Sequence, residues 1–93
     1  MNPPSESEDP MPDVVLYGSD WCPATRICRR RMDLWGVAYR YVEVDDSPED
    51  EQRIADWNNG RAIRPTLAIG DTVFVDPSPI DLKGLLTEHG AIR

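Results

Sequence analysis

The chain is short of most things that would make it a metal, membrane or nucleic-acid protein. Two cysteines in 93 residues are too few for a disulfide framework. There is one histidine, and no cysteine or histidine group has metal-site spacing, so no metal is expected. No apolar run is long enough to span a bilayer, so no membrane partner is expected. The acidic, proline-rich start does not resemble a signal peptide. These absences point to a reducing compartment, and the expected location is cytoplasmic. A basic surplus is missing too. Ten Lys and Arg against 17 Asp and Glu leave a net charge of -7, which argues against a nucleic-acid partner.

What is present fits one small domain. Residues 1–12 carry Pro3, Pro4, Pro10 and Pro12 among acids and serines, a composition that cannot bury a core and reads as a disordered tail. Met11 could be an alternative start. The domain is expected over 13–93. Residues 13–17 read as a buried strand, 37–44 as a second, 65–69 as a third and 72–75 as a fourth. Gly70-Asp71 is a hairpin loop between the last two. Pro23 suits a first helical turn, and Gly36 is placed to end that helix. Ala24, Ile27, Cys28, Met32 and Trp35 mark its apolar side. Ser47-Pro48-Glu49-Asp50 and Ser78-Pro79-Ile80-Asp81 each read as an N-cap followed by proline. Ile54 and Trp57 give the second helix its apolar side; Leu82, Leu85 and Leu86 do so for the third. Trp35, Trp57 and Phe74 are expected in the core. The order β-α-β-α-β-β-α predicts an α/β fold with a mixed four-stranded sheet flanked by helices.

The chemistry gathers at Tyr17-Gly18-Ser19-Asp20-Trp21-Cys22-Pro23-Ala24-Thr25. Cys22 stands between a strand and a helix N-terminus, where the helix dipole favours thiolate, the reactive form. Pro23 donates no N–H, so the amides of Ala24 and Thr25 are the expected donors to the sulfur. The Thr25 hydroxyl can add another, and each lowers the pKa. Where a dithiol motif has its second cysteine, this chain has Thr25. Cys28 lies six residues along the helix, a rise of about 9 Å at 1.5 Å per residue. Disulfides need Cα atoms within about 7 Å, so Cys28 reads as a buried core thiol. Arg26, Arg29, Arg30 and Arg31 follow Cys22. They read either as a solvated helix face or as a positive field beside the thiol. Tyr17 and Trp21 flank the turn and either line the site or pack conventionally. His89 suits the last turn of the last helix, where a cation is favoured.

These pieces in this order resemble the glutaredoxin branch of the thioredoxin fold. The resemblance is carried by Val14-Val15-Leu16-Tyr17 leading to Trp21-Cys22-Pro23, by Val42-Glu43-Val44-Asp45, by Arg64-Pro65-Thr66, and by Asp76-Pro77-Ser78. The last piece, with Asn58-Asn59-Gly60, is most similar to the mycoredoxin subgroup. The resemblance implies that Cys22 is the nucleophile of an oxidoreductase. It would attack mixed disulfides between proteins and a low-molecular-weight thiol by a monothiol route. It also implies a cis bond before Pro65, and that the Arg64 backbone, Asp76 and Ser78 help bind the thiol. The implied co-substrate is glutathione, mycothiol or bacillithiol, with no tightly bound cofactor. The implied partners are S-thiolated proteins, and the expected state is a monomer. A lysine that many glutaredoxins place before the nucleophile is Ser19 here. Arg53, Arg61 and Arg64 could replace its positive charge. The alternatives are an iron–sulfur cluster carrier and a non-catalytic interaction module. Against the carrier, Pro23-Ala24-Thr25 stands where such proteins have glycine-phenylalanine-serine.

Overall fold

The structure is a computed structural model that describes residues 12–92. The expected tail, apart from Pro12, and the Met11 start lie outside the described residues.

The β-branched run Val14–Gly18 forms β1, with all five residues buried. Then follow α1 (Pro23–Leu34), β2 (Arg40–Glu43), a 3-10 turn (Val44–Asp46) and α2 (Pro48–Trp57). The chain ends with β3 (Thr66–Ile69), β4 (Thr72–Val75) and α3 (Pro79–Glu88). Each helix opens on proline, whose missing N–H has no partner to lose there. Ser47 and Ser78 accept the N–H groups of Asp50 and Asp81 at 3.3 and 3.1 Å, as the capping pattern predicts. α1 stops at Gly36, whose φ of +72° suits glycine. The Gly36 and Val37 N–H groups close that end on Asp33 and Met32 carbonyls.

The sheet order is β2-β1-β3-β4. β1 and β2 run parallel, and the other pairs are antiparallel. This is the expected mixed sheet. Alternation along β1 sends Val14 and Leu16 to one face and Val15 and Tyr17 to the other. The first face is covered by α1 and α3 through Cys28, Met32, Leu82 and Leu86. The second is covered by α2 through Ile54. The parallel connection leaves the β1–α1 turn at one end of the sheet, beside the loop that enters β3.

Four details depart from expectation. The second strand is shorter than 37–44: Val37 is used to close α1, and Val44 opens the 3-10 turn that accepts the Ser47 N–H. β3 starts at Thr66 rather than Pro65. Ile27 is 46% exposed, because the buried stripe of α1 is Thr25, Cys28 and Met32. Trp57 is 42% exposed and sets its ring edge-on to Tyr17 at 5.4 Å, while Trp35 and Phe74 pack on the core as expected.

Candidate active site

The site begins with a close approach. Gly18 ends β1, and a Cβ built there would meet Thr25 Cγ2 at 2.5 Å and Oγ1 at 2.6 Å. Only glycine lets the threonine sit this near the strand. Thr25 is fully buried, and its hydroxyl accepts the Ser19 N–H at 3.3 Å. That leaves the hydroxyl proton free to donate to Cys22. Cys22 is the N-cap residue of α1; its N–H reaches the Ser19 carbonyl at 3.0 Å, and its carbonyl accepts from Arg26 at 3.1 Å.

Partial burial pushes the Cys22 thiol up. The Thr25 amide, the Thr25 hydroxyl and the Ala24 amide outweigh that effect, and the net result is a pKa below the ordinary thiol value. The sulfur forms no capping bond of the serine type, so these amides act at poorer geometry than a full cap would give. Among the leading influences on it the side-chain charge is that of Asp76, which opposes ionisation. Of the two alternatives for the α1 arginines, the positive field finds no arginine among the leading influences on the sulfur. Arg26 donates to the Asp20 carbonyl at 2.9 Å, and Arg29 stacks over Tyr41 at 3.9 Å while pairing with Asp20. The arginine crowd is a helix face.

Opposite the sulfur stands the loop into β3. The Arg64–Pro65 bond is cis, and the Cys22 thiol lies 4.0 Å from the Arg64 carbonyl. The Pro65 carbonyl accepts the Asp76 N–H at 2.8 Å, which ties the turn before α3 to the same place. Thr66 braces the loop by donating to the Ile63 carbonyl at 2.7 Å. The structure thus brings together Cys22, Pro23, Ala24, Thr25, Arg64, Pro65 and Asp76. Ser78 is adjacent: it lines, with Ala24, Cys28 and Asp76, a small groove of about 200 Å³. Its hydroxyl is already used as the cap of α3. Tyr17 is 5% exposed and packs in the α2 layer, so it serves the core. Trp21 is 65% exposed, with its indole N–H donated to Asp45.

Arg64 does not reach out for an anion. Its guanidinium donates to Ser19 Oγ at 2.8 Å, to the Ala62 carbonyl at 2.9 Å, to Asp45 at 3.2 Å and to Glu51 at 2.7 Å. Arg53 is likewise paired, with Asp50. Two of the three arginines that could replace the missing lysine's positive charge are thus engaged inside the chain. The Trp21 indole comes first among the groups that hold Asp45 below the usual carboxylate range. Slight burial opposes it, and the Ser19 hydroxyl and Arg64 add to it. The sequence gives Gly18, Ser19 and Asp45 a place in the motifs but no partner, and does not single out Glu51. The glycine–serine pair at a strand end and the acidic end of β2 were the available signals. Cys28 is 4% exposed, and burial pushes its thiol up to about 11, with Asp76 and Cys22 adding to the effect. It is the buried core thiol expected. No group of three or more acidic, cysteine or histidine side chains among the described residues could hold a metal.

This sheet, with a cysteine at the first strand–helix turn facing a cis-proline, defines a redox protein of the thioredoxin fold. The crystal structure of glutaredoxin grx-1 from Archaeoglobus fulgidus is similar, with a TM-score of 0.71 over 92% of this chain and 96% of that one, at 18% identity. The sequence profile of the Glutaredoxin family matches residues 14–74. A glutaredoxin of Ricinus communis is 30% identical over 89 residues, covering 85% of this chain and 86% of its own length. Mycoredoxin 1 of Corynebacterium glutamicum is 33% identical over 61 residues, covering 66% and 75%. The chain belongs to the glutaredoxin family, and its activity class is thiol–disulfide oxidoreductase.

Proposed function

We propose that the chain reduces mixed disulfides between proteins and a small thiol by a monothiol route centred on Cys22. The observation that carries this reading is Thr25. It occupies the place of a resolving cysteine, and its hydroxyl, whose proton is left free by the Ser19 N–H, lowers the pKa of the nucleophile instead. The other sulfur, Cys28, is buried and held protonated, so it offers no internal partner.

The Cys22 thiolate attacks the small-thiol sulfur of the mixed disulfide. The protein leaves as a thiolate and takes up a proton, and the small thiol is now bonded to Cys22. A second small thiol, as thiolate, attacks that sulfur, frees Cys22 and departs as the oxidised small disulfide. The net exchange consumes one free small thiol, which is oxidised into the small disulfide as the protein sulfur is reduced to the thiol; the small thiol of the mixed disulfide stays at the disulfide level throughout. The helix N-terminus, the Ala24 and Thr25 amides and the Thr25 hydroxyl stabilise Cys22 both as attacking group and as final leaving group. In this reading the Arg64 backbone before Pro65, 4.0 Å from the sulfur, pairs with the incoming thiol, and Asp76 and Ser78 help hold it. Glutathione, mycothiol and bacillithiol are the candidate co-substrates, S-thiolated proteins the partners, and the monomer the working unit.

The test is the pH dependence of iodoacetamide alkylation in wild type, Cys22→Ala and Cys28→Ala. The expected result is one fast thiol with a midpoint below 8.5, lost only in Cys22→Ala, followed by turnover of a mixed disulfide of one of the three thiols. A slow thiol with an unshifted midpoint would sink the proposal.

A further inference from the structure

A second, larger groove shares Asp76 and Ser78 with the active site and continues beyond the residues assigned to the thiol. It runs from Asp76 along α3 beside β4 and encloses about 630 Å³. Phe74, Ile80 and Leu85 wall it. Ile80 is 87% exposed, a large apolar side chain left in water. Among the described residues β4 is an edge strand, paired with β3 alone.

Gly84 lies in this groove, in the interior of α3. Glycine weakens a helix interior relative to alanine. No turn requires it here, since its φ is not positive, and a Cβ would meet nothing within 4 Å. Packing inside the chain therefore gives no reason for glycine. What its missing side chain does is leave the groove open.

The polar rim has one sign. Asp76, Asp81 and Glu88 border the groove, and none of them is in an ion pair among the described residues. Lys83, on the same helix, turns away over the Trp35 ring. The acids do not converge on a metal site. Their charge is spread along the groove: Asp81 and Glu88 are seven residues apart, about 10 Å along the helix. An extended chain covers that distance in about three residues.

We infer that this groove docks an extended segment of a protein partner, apolar at its centre, with Lys or Arg side chains about three residues apart. The inference rests on the proposed redox reading for one point only, that the docked partner is the protein half of the mixed disulfide. An acidic rim repels anionic partners, and its two-turn spacing fits a cationic chain rather than a single cation.

The test uses the full chain as Cys22→Ala, so that binding is read without chemistry. Two twelve-residue peptides are titrated and followed by amide chemical shifts. One has Arg residues three apart around Leu, and the other has Glu in their place. The Arg peptide should bind roughly tenfold more tightly at low salt, with the advantage shrinking at 0.5 M salt. Its shifts should fall on Phe74, Gly84 and Leu85. Adding Gly84→Leu should fill the groove and abolish binding while leaving the melting temperature unchanged or higher. Adding Asp81→Asn with Glu88→Gln should erase the preference. Equal binding of the two peptides, binding of neither, shifts elsewhere, or a preference that survives the neutralised rim would each overturn the inference. Docking by Cys22→Ala together with a wild type that transfers no thiol would sink the redox proposal alone.

Discussion

Thr25→Val is the substitution that separates packing from reactivity. Valine keeps the shape of threonine but has no hydroxyl. Thr25 and Ser19 are both fully buried, and the hydroxyl is the acceptor for the Ser19 N–H. Removing it leaves a buried donor unpaired, which costs about 1–3 kcal/mol. The bond is long at 3.3 Å, so the lower half of that range, about 1–2 kcal/mol, is expected. For a domain of this size each kcal/mol lowers the melting temperature by about 4–8 °C. The same substitution removes the hydroxyl donor to Cys22, so the alkylation midpoint should rise. Thr25→Ser keeps the oxygen and should keep the midpoint, while losing about 1 kcal/mol for the buried methyl.

The pH dependence carries the sign. Cys22 has a depressed pKa in the folded chain. Its contribution to stability is therefore present above the unfolded thiol pKa and is lost as pH falls through the folded one. Wild type gains from this at pH 9 and not at pH 6. Thr25→Val gains less, so its deficit should be larger at pH 9. Guanidinium unfolding at the two pH values measures the first effect, and iodoacetamide rates measure the second. A Thr25→Val chain with wild-type stability and an unmoved midpoint would refute the reasoning at both points.

Two further substitutions follow from the site. Cys28 has a raised folded pKa, so its stabilising share is full below the unfolded thiol value and is lost as pH climbs toward about 11; Cys28→Ala should flatten the alkaline loss of stability in denaturant titrations, and a loss identical to wild type would count against it. Arg64→Lys should not rescue Arg64→Ala, because a single ammonium cannot serve Ser19, Ala62, Asp45 and Glu51 together. Both variants should lose about 1–3 kcal/mol, chiefly by leaving the fully buried Ser19 hydroxyl without its donor, and a wild-type melting curve for Arg64→Lys would contradict this.

What could be read from the sequence was local. The Ser-Pro pairs before α2 and α3 cap helices through partners three residues away. The β-branched run of β1 is buried whatever it pairs with, and the proline after Cys22 marks a first turn by itself. What could not be read depends on strand register. Ser19 meets Arg64 across 45 residues, and Trp21 meets Asp45 across 24. No periodicity encodes such pairs. Trp57 illustrates the same limit. Its spacing from Ile54 suits a buried helix face, yet it lies at the end of α2 and is 42% exposed, with its ring edge-on to Tyr17. Cys28 and Thr25 divide along the same line: Cys28 follows helical period, whereas Thr25 enters the buried stripe because Gly18 lets it approach the strand.

The charges around Cys22 lead to one more prediction, with a sign that distinguishes two explanations of its reactivity. Were the α1 arginines activating the sulfur, added salt would screen them and raise its midpoint. The structure gives the work to neutral donors on Thr25 and Ala24, and leaves Asp76 as the charge that opposes the thiolate. Screening then removes an opponent, and the midpoint should fall as salt rises. Asp76→Asn should lower it at low salt and make it insensitive to salt. The backbone should tolerate that change, because Asp76 sits at φ +48°, a conformation asparagine adopts readily. Alkylation midpoints at 20 mM and 500 mM salt, for both chains, decide the matter. A wild-type midpoint that climbs with salt would return the arginines to the mechanism and remove Asp76 from it.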